Sequence, residues 1–422
     1  MRKRMIMLAA LAVALTAAPL AGCSDDDHGM EMPKDNTLKP ITLTRAQQEL
    51  VTASNDFAFN LFRRATLSAD GASGLSAQKS AILSPLSITY ALGMLNNGAA
   101  GETQQQINEV LGFGDTGADG INAFCQKMLT EAPTLDKLTK VMIANNIYVN
   151  EGYRLLPDFV AKANEFYDAK PETRNFHDGK TCSVINRWAS DHTEGMIDKV
   201  LSEDTFNPDA VSYLLNAIYF KGAWKEKFSK SQTHNEAFEG REQKIPMMHQ
   251  EHEFNYTENE LCQALRLPYG NGAYAMTILL PREGTTVDEL LLSLNAESWQ
   301  LYRYMDCAIV DVKLPRFESK TDLDLNEIMA SLGMPKAFTP FEAEFPNFCN
   351  VPTYIDMMKQ VARIKLDEEG TEAAAVTVIG DAATSLPIEP QRVTFHATRP
   401  FLYVISEQST GAIFFIGKYV GD

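Results

Sequence analysis

The segment from residue 368 to residue 387 constrains the fold more than any other part of the sequence. It opens with Glu368, Glu369, Gly370, Thr371, Glu372, Ala373, Ala374 and Ala375, and a β-branched run follows at 376–379. Small and β-branched side chains recur here with period two, which is typical of a strand that can lie beneath a covering layer. Gly370 and the prolines at 387 and 390, however, bracket the segment as turn residues bracket an exposed loop. The sequence therefore predicts a fold in which one segment can be either an exposed loop or a buried strand.

The chain from about residue 43 onward alternates helical and strand patterns without a long low-complexity break, so we predict one large mixed domain at 43–422. Leu50, Phe57 and Leu61 recur at helical spacing and indicate an amphipathic opening helix. Other apolar segments have strand character, and the first two are apolar on both faces, as in a covered sheet. These segments are 141–149, 274–280, 308–314, 401–405 and 413–416.

Composition limits the partners that the chain can attract. The 55 Asp and Glu against 38 Lys and Arg give a net charge of −17, which argues against bulk attraction to phosphate or to anionic lipid. The 45% apolar content is enough for a full core and too high for a disordered protein. We therefore predict a globular protein that does not bind nucleic acid.

The first residues indicate export. Arg2, Lys3 and Arg4 precede an apolar stretch at 5–18 that is too short to span a bilayer, and small residues follow it. We predict a signal peptide at 1–22. The run Leu20, Ala21, Gly22 and Cys23 resembles a bacterial lipobox, in which the cysteine thiol is acylated after cleavage. The prediction is a membrane anchor at Cys23, and the alternative is an ordinary signal peptide with an incidental cysteine.

The stretch 23–42 has the composition of an acidic tether. Ser24 is followed directly by three aspartates, and few apolar residues occur before Pro40. A serine and an acidic run after the lipidated cysteine resemble the signal that carries some outer-membrane lipoproteins to the cell surface. The alternative is a plain polar linker. We expect an exported protein that is lipid-anchored to the outer membrane and exposed at the cell surface.

The sequence contains partial matches to cofactor-binding and metal-binding motifs, but their surroundings do not fit those functions. Gly112, Gly114 and Gly117 have the spacing of a dinucleotide loop, but they follow a helical pattern where a strand is needed. His249 and His252 would meet on a helix face, yet no third metal ligand is evident, which favours surface histidines. No Gly-x-Ser-x-Gly elbow occurs. We therefore predict that the chain is not an enzyme and has no metal and no cofactor.

Several motifs, in the right order along the chain, resemble the serpin family. The residues from Glu368 to Ala375 resemble the family's proximal hinge almost residue for residue. The stretch 216–224 resembles the strand with the family's shutter asparagine and breach tryptophan, 84–88 resembles its early shutter segment, and 395–402 resembles its C-terminal signature. The resemblance extends from about residue 43 to the end. It implies an α+β fold: one large domain with a large mixed central sheet, further β-sheets, about eight or nine helices and an exposed reactive-centre loop.

The resemblance also implies a role for each matching residue. The hinge residues would enter the central sheet, Trp224 and Arg316 would lie at the breach, and Asn216, Ser84, Ser87 and Gln360 at the shutter. Gln360 stands where the family often has a histidine, so its amide would bond Asn216 without a titratable proton. Glu368 is expected to pair with Arg316 at the top of the sheet, in an exposed contact that contributes about 0.5 kcal/mol.

The activity that the resemblance implies is irreversible suicide inhibition of serine proteases, and of cysteine proteases in some members. The protease cuts the loop, is acylated, and is carried along as the loop inserts into the sheet. Small residues at Thr371, Ala373 and Ala375 suit rapid insertion, because each inward position must lose water. We therefore predict an inhibitory, monomeric member. The alternative is a non-inhibitory, surface-tethered binding protein with the same fold.

The family register, counted from Gly370, places Thr384 before the scissile bond and Ser385 after it. Counting back from the C-terminal side favours Leu386, but Pro387 would then follow the cut. Ala382, Ala383 and Thr384 suit an elastase-like protease with a small apolar pocket, and no Lys or Arg lies between 372 and 391 to suit a trypsin-like one. Asp381 would face inward late in insertion, where a buried carboxylate is costly.

Overall fold

The computed structural model describes residues 30–31, 36–67, 75, 79–371, 376–377 and 390–422. The predicted signal peptide at 1–22 lies outside these ranges. So do the following residues with predicted roles: Cys23, Glu372, Ala373, Ala374, Ala375, Asp381, Ala382, Ala383, Thr384, Ser385 and Leu386. No helix in the described ranges is long and apolar enough to cross a membrane.

The described ranges contain nine α-helices, which agrees with the eight or nine expected. In chain order, α1 to α9 are Arg45–Thr66, Pro85–Asn96, Gly101–Leu111, Gly117–Glu131, Pro157–Tyr167, Thr181–His192, Val287–Ser293, Ala296–Leu301 and Asn326–Leu332. The predicted opening helix is α1. Its side chains at 50, 57 and 61 are buried, and Thr44 and Gln47 form a capping box at its start.

The same ranges contain seventeen strands. In chain order, β1 to β17 are Met30–Glu31, Ala81–Leu83, Thr139–Asn150, Glu172–Arg174, Ser212–Ala223, His234–Glu236, Ile245–Glu258, Cys262–Tyr269, Tyr274–Pro281, Asp306–Pro315, Phe317–Asp324, Met357–Asp367, Gly370–Thr371, Val376–Thr377, Gln391–His396, Phe401–Glu407 and Ile413–Tyr419. The predicted strands correspond to β3, β9, β10 and the hairpin of β16 and β17.

The central sheet has six strands in the order β11-β12-β13-β5-β3-β4. Its strands β5 and β12 run parallel and pair directly from Met357↔Tyr213 to Ala362↔Ile218. Farther along the two strands, the two residues of β13 lie between them and pair antiparallel with both. The sheet is therefore closed at one end and holds a short extra strand at the other.

The second sheet has nine strands, with β6 paired to β7 beside the order β15-β10-β7-β8-β9-β16-β17-β2. All eight residues of β9 are buried, as expected for a sheet covered on both faces. A two-stranded sheet joins β1 to β14 in parallel. The predicted α+β fold with a mixed central sheet is confirmed.

The main core lies between the two large sheets. The ring of Phe220 on β5 packs against Tyr269 and Tyr274 of the second sheet, with ring centroids 5.0 and 5.9 Å apart. Every residue of α2 is buried, so this helix lies inside the molecule. On its other face the central sheet packs against α6, where Ile185 and Tyr213 share a second apolar cluster. Both faces of the central sheet are thus covered.

The two histidines that were considered for a shared helix face lie instead on β7. They point to opposite faces, because the side-chain period of a strand is two. His249 Nε2 lies 2.7 Å from Asp311 Oδ1, and His396 Nε2 lies 3.1 Å from Asp311 Oδ2. Across the part of the chain that the structure describes, no three His, Cys, Asp or Glu side chains form a metal-binding group.

The described end of the predicted tether is docked rather than solvated. Asn36 is buried, its Nδ2 donates to Asp136 Oδ1 at 2.7 Å, and its Oδ1 accepts from the Lys137 N–H at 2.9 Å. Asp136 Oδ2 also accepts from Thr139 Oγ1 at 2.6 Å, at the start of β3. Thr139 pairs with Gly222, which in turn pairs with Thr371. The N-terminal chain is therefore fixed at the end of the central sheet that holds β13.

We expect Asn36→Ala to lower the free energy of unfolding by about 2 kcal/mol, because a buried carboxylate loses a donor. Leu38→Ala is the matched control, since Leu38 is 59% exposed and two residues away. Urea titrations followed by intrinsic fluorescence measure both. Equal midpoints for Asn36→Ala and the unaltered protein would show that the docking contributes nothing to stability.

Candidate functional site

The hinge enters the central sheet at Gly370. Its φ is +143°, and a Cβ added there would lie 2.2 Å from the carbonyl oxygen of Gly222. Only glycine fits a backbone that approaches another this closely. On either side, Gly370 pairs with Asp367 and Ala223. Gly370 and Thr371 of the hinge thus already form a strand.

Thr371 fills a closed pocket between β12 and β5. Its side chain is fully buried, and its Oγ1 lies 2.7 Å from the hydroxyl of Tyr269. The Tyr269 ring stacks on Trp224, with centroids 4.4 Å apart and planes 10° apart. Burial raises the pKa of Tyr269 well above its usual value, so this hydroxyl stays protonated. The pocket accepts a small side chain with one polar atom.

The backbone around Trp224 holds the turn at 367–369, which precedes the inserted residues Gly370 and Thr371. This position is called the breach. Trp224 Nε1 donates to the carbonyl of Asp367 at 3.0 Å. The Trp224 N–H donates to the carbonyl of Glu369 at 2.8 Å, and the Phe228 N–H donates to that of Glu368 at 3.0 Å. The turn at 367–369 is therefore hydrogen-bonded to the chain that follows β5.

Glu368 lies near Arg316 as predicted, but the prediction that this contact is exposed is wrong. Glu368 is only 2% exposed, and its Oε1 lies 3.6 Å from Arg316 Nη1. A closer donor is the hydroxyl of Thr233, at 2.7 Å from the same oxygen. The chain just before β6 covers the carboxylate, which no local sequence pattern indicates. Glu368 is held mainly by a hydroxyl group.

Glu369, the next residue, makes closer ion pairs than Glu368 does. Glu369 Oε2 lies 2.8 Å from Lys227 Nζ, and Oε1 lies 3.3 Å from Lys230 Nζ. Burial acts to raise the pKa of Glu369, but the two ammonium groups outweigh it and hold that pKa below its usual value. This contact stabilises the closed turn above the pKa of an unfolded glutamate and is lost as the pH falls through the lowered one.

A second polar cluster, the shutter, joins β5 and β12 in the closed part of the sheet. Gln360 Nε2 donates to Asn216 Oδ1 at 2.6 Å, and also contacts Ser87 Oγ and the Ser84 carbonyl, both at 3.0 Å. Gln360 Oε1 accepts from the Ser84 N–H at 3.0 Å. Asn216 Nδ2 in turn donates to Asn145 Oδ1 on β3, at 2.7 Å. The amide of Gln360 thus links β12, β5 and the start of α2 with no titratable proton.

The residues with predicted roles form two groups in the described chain. Trp224, Arg316 and the hinge residues 368–371 lie together at the breach. Ser84, Ser87, Asn216 and Gln360 lie together at the shutter. No local pattern in the sequence indicates a role for Tyr269, Thr233 or Asn145, because their contacts are with segments distant in sequence.

Comparison with known proteins finds a matching family model, relatives in sequence and similar solved structures. A family model described as "Serpin (serine protease inhibitor)" matches residues 52–421. The chain is 32% identical over 381 residues to Serpin B6 of Macaca fascicularis, which covers 88% of this chain and 98% of that one. Serpin B8 of Homo sapiens is 32% identical over 383 residues, covering 88% of this chain and 99% of that protein. The structure of Tengpin, a thermophilic serpin in the native state, superposes with a TM-score of 0.80 at 28% identity, over 93% of this chain and 100% of that one.

Gln360→Ala is expected to lower the free energy of unfolding by about 2 kcal/mol, because Asn216 and the Ser84 N–H lose buried partners. Lys365→Ala is the control, since Lys365 is on the same strand and exposed. Urea unfolding midpoints measure the difference. If the Gln360→Ala midpoint matched that of Lys365→Ala, the shutter would not be stabilising.

Proposed function

This chain belongs to the serpin family, whose members are mostly protease inhibitors, and from that premise we propose that it is an irreversible suicide inhibitor of elastase-like serine proteases. The proposed scissile bond joins Thr384 and Ser385. The observation that carries the proposal is the position of Gly370 and Thr371, which already form an antiparallel strand between β5 and β12.

The inserted start sets the register for the rest of the loop. Side chains alternate along a strand, so residues 373 and 375 would face the same side as the buried Thr371. Both are alanine, and small side chains fit between covered strands with little displacement of their neighbours. This pattern supports an inhibitory rather than a passive member.

The chemistry belongs to the protease until the bond is cut. The protease serine attacks the carbonyl carbon of Thr384, the peptide bond breaks, and the new amine at Ser385 takes the proton and leaves. The loop remains esterified to the protease through Thr384. The 14 residues from 371 to 384 span about 43 Å as a strand. Insertion would pull the acylated serine out of its catalytic geometry, which must hold to within about 1 Å, so water no longer cleaves the ester.

The loop sequence supports the protease class. Ala382, Ala383 and Thr384 are small, which suits a shallow apolar pocket, and the absence of Lys and Arg between 372 and 391 disfavours trypsin-like enzymes. Cysteine proteases, which also form an acyl-enzyme, are open to the same trapping.

We further propose that Cys23 is lipidated and holds the protein on the outer membrane, facing outward. Asn36 is docked near the hinge, and the chain from Cys23 to Asn36, with 12 residues between them, reaches at most about 45 Å. The anchor would then leave the molecule at the end of the sheet where the reactive loop begins. The loop would act on proteases close to the membrane surface.

Protein lacking residues 1–23, mixed with an elastase-type protease, is expected to give a complex that survives denaturing gel electrophoresis. Mass spectrometry of the released peptide should show Ser385 as its first residue. A cut chain without any complex, repeated with subtilisin- and chymotrypsin-type enzymes, would contradict inhibition and favour the tethered binding protein.

Thr371→Arg is expected to convert the inhibitor into a substrate, because a guanidinium would be buried without a partner in the pocket beside Tyr269. The yield of complex should fall at least about tenfold. Thr371→Ser keeps the hydroxyl and is the matched control, with a yield near that of the unaltered protein. Densitometry of complex and cleaved bands measures the partition.

Lipidation is tested by expressing the full chain in a Gram-negative bacterium with a labelled fatty acid. We expect label on the unaltered protein, which should partition with membranes, and none on Cys23→Ser. Cys307→Ser is the control, because Cys307 is an exposed thiol remote from the signal. An unlabelled protein in the soluble fraction would contradict the anchor.

A further inference from the structure

A carboxylate fastens the closed end of the central sheet. Asp356, the residue before β12, accepts hydrogen bonds through Oδ2 from two backbone N–H groups at the start of β5, those of Val211 and Ser212, the latter at 3.2 Å. Ser212 Oγ returns a bond to the carbonyl of Tyr354 at 2.9 Å. These bonds between the 354–356 segment and the start of β5 are called the clasp.

The clasp is held in place from a third element. Asn326, the first residue of α9, donates through Nδ2 to the carbonyl of Asp356 at 2.6 Å and accepts from the Met358 N–H at 2.7 Å. The backbone on both sides of residue 357 is thereby fixed, so the carboxylate remains aimed at β5. Hydrogen bonds from backbone N–H groups to an ionised acceptor are stronger than those to a neutral one.

The clasp lies on the route of the inserting loop. An inserted strand must separate β5 from β12, which are paired directly from Met357↔Tyr213 to Ala362↔Ile218. From the hinge it would meet the Gln360–Asn216 contact first and the clasp last. Separation of β5 from β12 at the clasp breaks these charge-assisted bonds.

The register of the hinge shows which loop residue arrives there. Thr371 pairs with Leu366 on β12 and with Gly222 on β5, and the inserted strand is antiparallel to both. A loop residue ten positions after Thr371 would therefore pair with the residue ten positions before Leu366 on β12 and ten before Gly222 on β5. In this register, Asp381 of an inserted loop would lie between Asp356 and Ser212, three residues before Thr384. Both neighbouring strands give the same residue independently.

We propose that Asp356 is a positioning residue for inhibition: its clasp is the last barrier to loop insertion, and it determines what fraction of acylated protease is trapped rather than released. This inference rests on the proposed inhibitory function. The arriving carboxylate of Asp381 adds to the barrier, because two like charges would meet between strands that exclude water.

Trapping and release compete from the same acyl-enzyme, so a lower final barrier raises the trapped fraction. Asp356→Asn keeps the shape and an acceptor but removes the charge. We expect the ratio of cleaved to complexed inhibitor to fall about fivefold. Asp209→Asn is the matched control and should leave the ratio unchanged, because Asp209 lies in the same region with a side chain that is 82% exposed.

A double-mutant cycle separates this role from a merely structural one. Asp381→Asn alone should also lower the ratio, whereas in the Asp356→Asn background it should add little, because both changes remove the same repulsion. Asp381 lies in the loop, so this variant keeps the test available if Asp356→Asn fails to fold. Additive effects at 356 and 381, or no effect of either, would overturn the proposal.

A metalloprotease that cuts within the loop gives a readout independent of inhibition, because it forms no acyl-enzyme. We expect cleavage to raise the melting temperature, and to raise it further in Asp356→Asn than in the unaltered protein. A rise that is equal in both, with an unchanged ratio of cleaved to complexed inhibitor, would overturn the role of the clasp and leave insertion intact. No rise in either would overturn the proposed function and this inference together.

Discussion

The parallel pairing of β5 with β12 decides how the central sheet can accept a further strand. These two strands make only one ladder with each other where they meet, yet an antiparallel strand between them would make two. Parallel pairing is slightly less stable per residue than antiparallel pairing. The closed sheet therefore leaves hydrogen-bonding potential unused, and β13 shows how the same two strands accept an additional one.

The contacts that keep the sheet closed are graded along its length. At the breach, the hinge has already entered, and its polar groups bond the chain beside Trp224 rather than oppose entry. At the shutter, one neutral amide joins the two strands. At the clasp, the bonds involve a carboxylate. Resistance to opening thus rises in the direction in which the loop would travel.

Much of this architecture follows from patterns within single elements. The period of α1, the alternation in β10 and the closing hairpin are local, and the sequence predicts all three with the right type and the two strand features with nearly the right bounds. The hinge and shutter residues were found by their resemblance to a family. The register of β13 and the partners at the breach were not predictable, because Tyr269 and Thr371 are 102 residues apart in sequence.

Glu368 shows why exposure is harder to predict than pairing. Its sequence context, two glutamates before a glycine, indicates a solvated turn, and Arg316 was correctly placed near it. The side chain is buried because the chain just before β6 folds over it, and burial by a remote segment leaves no local trace.

The docking of Asn36 connects the N-terminal chain to the same end of the sheet through three neighbouring strands. Asn36 bonds Asp136, Asp136 bonds Thr139 at the start of β3, and β3 pairs with β5 beside the hinge. Entry of the loop would separate β5 from β12 and leave β3 paired with β5, so this N-terminal docking would not have to break. The tether and the moving strand therefore share one end of the molecule without competing for the same hydrogen bonds.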